Sequence, residues 1–487
     1  MNFPITSPLF ICLILAVLPL YYKLGSKGQR NTLLILSVLF YLVNCSYISL
    51  CVLFPSVIIV FICTKNKNFS GIYFIPIILF GTLCIIKYIG LEKIIGEASY
   101  SLIVPLAISY YTLSLATYFY DCRWGLIKPY ENICDLILFT MYFPLMTSGP
   151  ICKYSDIGEQ LISRHEFAYI DVRNGLIRFM YGLIKKVAIA NRLAVLVNDK
   201  YSSSASNGGG IWLATGLFAL QLYTDFSGIM DIACGISICF GIKLPENFKA
   251  PFLSENTREF WQRWHITLGL WLRDYVMFPF LHSKICINLS EYLQNKIGKK
   301  TSKRFITYLG LLILWLCMGI WHGSGSFKYV IGEGLWFWIV IVIGDLIGVY
   351  GNVNKSKFFT IFRRLRTFFI FVIGMIFFRS DSLQDALNRL YNGIFNINDV
   401  SGLNGFFNAM RLSIIGGPFG LMLILISMIA LIIVDIRIYS GKNSDCIIEE
   451  LLMKRKPFIR WFIYVFGMMI VIMSYNASAS VTLYGQF

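Results

Sequence analysis

Long apolar runs recur along the whole chain, separated by short polar stretches. "PLFICLILAVLPLYY" (8–22), "YISLCVLFPSVIIVFICT" (47–64), "YFIPIILFGTLCII" (73–86) and "GGPFGLMLILISMIALIIVDI" (416–436) are examples. The hydrocarbon core of a bilayer is about 30 Å thick, so a crossing helix needs about 20 mostly apolar residues. On that criterion the pattern predicts roughly 11 to 13 membrane helices and an all-α, polytopic membrane protein. Between residues 150 and 305 the texture changes. "GEQLISRHEFAYIDVRNGLIRFMYGLIKKVAIANRL" (158–193) and "TREFWQRWHITLGLWLRDY" (257–275) carry too many polar groups to cross cleanly. They predict interfacial amphipathic helices or re-entrant segments enclosed by protein, where polar groups find partners. No soluble domain interrupts the pattern. The chain 1–487 reads as one membrane domain, with N-terminal spans over 1–120, an irregular core over 121–350 and C-terminal spans over 351–487.

Composition sharpens this. Of the 487 residues, 57% are hydrophobic and 14% charged, against about 25% charged in soluble proteins. The first run lacks a basic region before it and a small-residue cleavage site after it, so it is expected to remain as a span. Lys23, Lys27 and Arg30 follow it and place that loop in the cytoplasm, with the N-terminus outside. "NKSKFFTIFRRLR" (354–366) is a second basic, cytoplasmic loop. The net charge of +17 then reads as loops facing anionic lipid rather than as a nucleic-acid surface. Thirteen cysteines lie scattered in apolar segments, a spacing that suits small buried hydrophobes and predicts neither a disulfide framework nor a metal site. No internal repeat is visible, which weighs against a transporter or flippase of a lipid-linked glycan, the competing class.

Candidate chemistry gathers in three places. His322, one of four histidines, ends the apolar run "LGLLILWLCMGIWHG". An ionisable group at membrane depth usually faces a cavity or a partner, and Gly319, Gly323 and Gly325 would let backbone or substrate approach the ring. Neutral imidazole suits a general base for a hydroxyl nucleophile; a satisfied buried histidine is the alternative. In the second place, Trp261, Trp264, Leu268, Trp271 and Leu272 follow the spacing of one helix face. That stripe predicts a tryptophan-rich interfacial anchor, leaving His265 and the Arg273–Asp274 pair as a hydrogen-bonded scaffold or a ligand contact. The third is "LQLYTDFSGIMDIACGISICFGI" (220–242), where Asp225 and Asp231 either form structural ion pairs or mark a substrate path.

The stretch from Tyr223 to Phe280, "YTDFSGIMDIACGISICFGIKLPENFKAPFLSENTREFWQRWHITLGLWLRDYVMFPF", resembles the signature of the membrane-bound O-acyltransferases, in particular their bacterial branch. "ISYYTLSLATYFYDCRWG", "YFPLMTSGPICKYSDI", "GLIRFMYGLIKKVAIANRLA", "MGIWHG" and "FVIGMIFFRSDSLQDAL" follow the family in order, and the tail "TLYGQF" is a looser match. The resemblance implies helices around a central tunnel, with His322 as the essential histidine and His265 as the second signature histidine. Asn247, Arg263, Trp264, Arg273, Asp274, Trp321 and Asp225 are then expected to meet substrate or hold the tunnel floor, together with Glu259. It further implies no bound cofactor or metal. Acetyl-CoA or another acyl thioester would enter from the cytoplasm, and a glycan or cell-wall polymer outside the cytoplasmic membrane would accept the acyl group. A partner acyltransferase on the outer side, or a small membrane subunit, is implied as well. D-alanyl transfer to teichoic acid is the alternative within the family. One departure stands out: relatives often carry a further histidine in a WGxxH pattern, where this chain has "IGEGLW" (331–336).

Overall fold

The computed structural model describes residues 4–44, 47–66, 108–146, 148–202, 208–323, 327–350, 356–396, 415–441 and 447–475. The expected span over 73–86, the loop after it, Gly325 and the tail 482–487 lie outside the described residues. The described chain is helical, and among the described residues five helices are long and apolar enough to cross a membrane: Gly210–Cys239, Lys299–His322, Phe327–Leu346, Gly417–Tyr439 and Pro457–Ser474. Shorter apolar helices run Pro8–Lys23, Leu53–Lys65 and Ile133–Leu145. The protein is a multi-pass helical membrane protein.

Helix ends follow capping chemistry. Ser7 accepts from Phe10 N (3.2 Å), Asn132 from Cys134 N (2.9 Å) and Ser382 from Asp385 N (3.1 Å), each satisfying an amide with no partner in its own helix. In Lys299–His322 the buried positions Ser302, Ile306, Gly310, Leu314 and Met318 recur every fourth residue, a single stripe packed inward. Gly417–Tyr439 likewise leaves Leu425, Ile429, Ile432 and Ile436 exposed on its outer side, a surface suited to lipid. Gly210–Cys239 is different: it is almost wholly buried.

The contacts divide the chain into two compact units, each assembled from separate stretches of sequence. One comprises Met1–Asn191, Tyr223–Glu246 and Asn443–Gln486; the other comprises Arg192–Leu222 and Asn247–Lys442.

Within the first unit, helix Tyr169–Leu183 crosses the second half of Gly210–Cys239 on a glycine seam. A Cβ on Gly175 would sit 2.6 Å from Gly235 O, and one on Gly182 would sit 2.6 Å from Gly228 O. Small residues at such a seam let helix backbones approach closely in lipid. The approach brings charges together. Arg178 bonds Asp231 (3.1 Å) and Glu246 (2.6 Å), Lys185 bonds Asp231 (2.7 Å), and Lys186 pairs with Asp225. Lys185 and Lys186 sit in a π-helical stretch, Ile184–Ala190, that continues Tyr169–Leu183. The wider turn sends two consecutive lysines inward toward the two carboxylates. Of the two sequence expectations for Asp225 and Asp231, paired ions are what this unit contains.

Candidate active site

The site is built in the second unit, starting from an irregular clip. Residues 247–249 run alongside 263–266: Lys249 N donates to Arg263 O (3.0 Å), Ile266 N donates to Asn247 O (3.1 Å), and Phe248 bridges Trp264. This breaks the expected helix. Thr257–Trp261 and Ile266–Leu272 are separate short helices, followed by a π-helical turn, Arg273–Met277. The single tryptophan-lined helix face predicted from spacing is therefore corrected. Trp264 packs inside a ring cluster with Phe248, Phe260 and Phe371 at 5.1, 5.6 and 4.9 Å, and Trp261 lies against Trp315 at 4.8 Å. Trp264 and Trp271 are 3% and 5% exposed, so they face protein rather than the membrane interface. Spacing cannot reveal this, because one left-handed residue resets the helical phase.

That residue is His265, with φ +47°. A side chain there costs about 1–2 kcal/mol and persists only where surroundings impose it. Asn247 does the imposing. Its Oδ1 accepts from Thr267 N (3.1 Å) and Thr267 Oγ1 (2.9 Å) and lies 3.3 Å from His265 Nδ1. Asn247 thus caps the helix Ile266–Leu272 from outside it, while His265 occupies the cap position itself. The ring is 1% exposed, and burial pushes the imidazolium down to about 3, which keeps His265 neutral at physiological pH.

His322 is the last residue of Lys299–His322 and is 2% exposed. Its ring meets Trp321, Phe378 and His265 at centroid distances of 4.6, 5.7 and 6.2 Å. His265 also touches Trp321 at 5.6 Å. Behind His322 stands Glu333, with Oε1 3.4 Å from Nε2. Glu333 is 4% exposed, and its buried Oε2 has no hydrogen-bond partner among the described residues.

Glycines create this proximity. A Cβ on Gly319 would meet Val330 Cα at 2.8 Å, and one on Gly334 would meet Trp315 O at 2.9 Å. The helix ending in His322 therefore packs backbone to backbone against the π-helical turn Val330–Leu335 that carries Glu333. Of backbone and substrate, backbone is what approaches at Gly319.

The structure thus brings together His322, His265, Trp321 and Asn247 from the expected set. The others are engaged elsewhere. Arg263 bonds Glu259 (3.0 Å) and Lys249 O (3.1 Å) and lies over Tyr439. Arg273 is 45% exposed and bonds its neighbour Asp274 at 2.7 Å. Asp225 belongs to the other unit, paired with Lys186. Sequence reasoning passed over Glu333. The signal was present: a lone carboxylate between two glycines inside an apolar run.

A multi-pass helical protein with two neutral-capable imidazoles in a buried aromatic cluster has the groups for proton transfer away from bulk water. The comparison with known proteins narrows that class. Residues 126–379 match the sequence model of the membrane-bound O-acyltransferase family, and the chain belongs to that family. Its similarity to the probable alginate O-acetylase of Pseudomonas aeruginosa is 33% identity over 299 residues, 61% of this chain and 52% of that protein. To the peptidoglycan O-acetyltransferase of Helicobacter pylori it is 30% over 338 residues, 62% of this chain and 58% of that protein. To the teichoic acid D-alanyltransferase of Bacillus subtilis it is 28% over 289 residues, 57% and 69% of the two chains. The chain spans about half the length of the probable alginate O-acetylases of Pseudomonas syringae and Pseudomonas aeruginosa.

Proposed function

We propose that this protein moves an acyl group, acetyl foremost, from a cytoplasmic thioester such as acetyl-CoA to hydroxyls of a polysaccharide or cell-wall polymer outside the cytoplasmic membrane. The observation that carries the reading is the buried pair His322 and His265, 6.2 Å apart and inside the family-matched segment. His322 takes the proton of an acceptor hydroxyl as its oxygen attacks the thioester carbonyl. The new C–O bond forms, the C–S bond breaks, and His322 returns the proton to the departing thiolate. Neutral His265, held by Asn247, supports the aromatic wall beside it. Exclusion of water protects the thioester and strengthens each polar contact inside. Delivery onto the polymer is direct or through a partner on the outer face.

D-alanyl transfer from a carrier thioester is the second reading, favoured by the similarity to teichoic acid D-alanyltransferases.

The test uses the full-length protein in vesicles with radiolabelled acetyl-CoA and cell-envelope polymer. Wild type should transfer label to polymer, and His322→Ala should transfer none while reaching the membrane in equal amount. Transfer by the variant at the wild-type rate overturns the reading. So does a wild type inert toward both acetyl-CoA and a D-alanyl carrier thioester.

A further inference from the structure

Glu333 has no part in the reaction as written, yet its burial beside His322 needs a physical account. A carboxylate removed from water is expensive unless a cation or donors meet it. Here one oxygen lies 3.4 Å from His322 Nε2, whose ring packs on Trp321 and Phe378, and the other has no hydrogen bond among the described residues. The turn that carries it is π-helical, a rare geometry found frequently at functional sites. Gly332 and Gly334 flank it, and a Cβ on Gly332 would fall 2.1 Å from Phe377 Cβ. The π-helical turn and its flanking glycines therefore present this carboxylate to this imidazole.

We propose that Glu333 is a positioning residue for His322: it accepts the Nε2–H of the neutral ring, leaving Nδ1 as the nitrogen that takes the acceptor proton. This rests on the reading of His322 as the general base. A neutral imidazole has one donor and one acceptor nitrogen, and its tautomer is set by what the other nitrogen binds. When the acceptor oxygen attacks the thioester, its proton moves to Nδ1, Nε2 keeps its own proton toward Glu333, and the carboxylate offsets the imidazolium charge. The proton on Nδ1 then passes to the thiolate as the C–S bond breaks. A buried carboxylate plays the same part toward histidine in hydrolytic triads.

Three variants of the full-length protein in vesicles test this with labelled acetyl-CoA, or with the D-alanyl carrier thioester if that is the donor turned over. Glu333→Gln keeps the shape and removes the carboxyl group. It should lower kcat by about 100-fold and leave KM for the thioester within about twofold, the pattern of a lost transition-state interaction. Glu333→Asp should recover a substantial part of kcat. Wild-type kcat in Glu333→Gln overturns the proposal. If His322→Ala is inert in the same assay, the functional reading survives that loss; if His322→Ala is active, the functional reading falls first. Should Glu333→Gln fail to fold, ring nitrogen-15 NMR of the wild type decides. With four histidines in the chain, the His322 signal must show the Nε2–H tautomer, and an Nδ1–H tautomer overturns the proposal.

Discussion

His265 and His322 are far apart in sequence, yet their rings meet edge to face at 6.2 Å. They arrive by different means. His322 rides the end of a regular helix, whereas His265 sits in a left-handed turn clamped by Asn247. One histidine is placed by helix packing and the other by backbone strain.

The strained histidine should make the protein acid-sensitive. Its folded-state value, about 3, lies below the ordinary 6.5, so the unfolded chain binds a proton that the fold excludes. The stability this represents is present above pH 6.5 and is lost as pH falls toward 3, with a magnitude of a few kcal/mol. Thermal melts in detergent at pH 7.5 and pH 5 should show a larger acid loss for wild type than for His265→Gln. Equal losses would mean that another group sets the acid limit.

Asn247 should matter more than its size suggests. Removing its Oδ1 strands the Thr267 amide and hydroxyl that it now satisfies. Asn247→Ala is expected to cost about 2–3 kcal/mol, the range for a lost cap plus a stranded buried donor. A melting temperature unchanged from wild type would count against the clamp.

The buried Lys186–Asp225 pair offers a double-mutant cycle. Lys186→Met alone removes the buried cation facing Asp225 and should destabilise by about 3–5 kcal/mol, while Lys186→Met with Asp225→Leu should return most of that loss. Additive losses in the double variant would argue that the two side chains do not meet.

The glycine seam predicts opposite responses on one helix. Gly228 and Gly235 approach backbone at 3.0 and 2.6 Å, whereas among the described residues nothing lies within 4 Å of a Cβ on Gly216. Gly235→Ala should destabilise by about 1–3 kcal/mol through overpacking. Gly216→Ala should be neutral or stabilising by up to about 1 kcal/mol, because alanine is the better helix former. Folding yield and melting temperature in detergent separate the two, and a harmless Gly235→Ala would refute the close approach.

Much was legible in the residues alone. Apolar runs of bilayer length announced membrane helices, since length and hydropathy are properties of each segment by itself. The motif around His265 and the run ending in His322 marked the candidate histidines. Asp225 and Asp231 were flagged as carboxylates needing partners, but Lys185 and Lys186, which supply them, were not singled out. Two adjacent lysines reach the same side only because the helix widens there into a π turn, and helical periodicity assumes it does not.

What the sequence by itself determined, then, is the solvent each segment tolerates and the place of His322 as a candidate. Both follow from residue type and local spacing. Only the tertiary structure decided that Trp264 faces protein, that Asn247 holds His265, and that Glu333 stands 3.4 Å from His322. Those facts depend on a single positive φ, on π-helical turns and on glycines that admit a neighbouring backbone. Their effect is felt between segments distant in the chain, where no local pattern can record it.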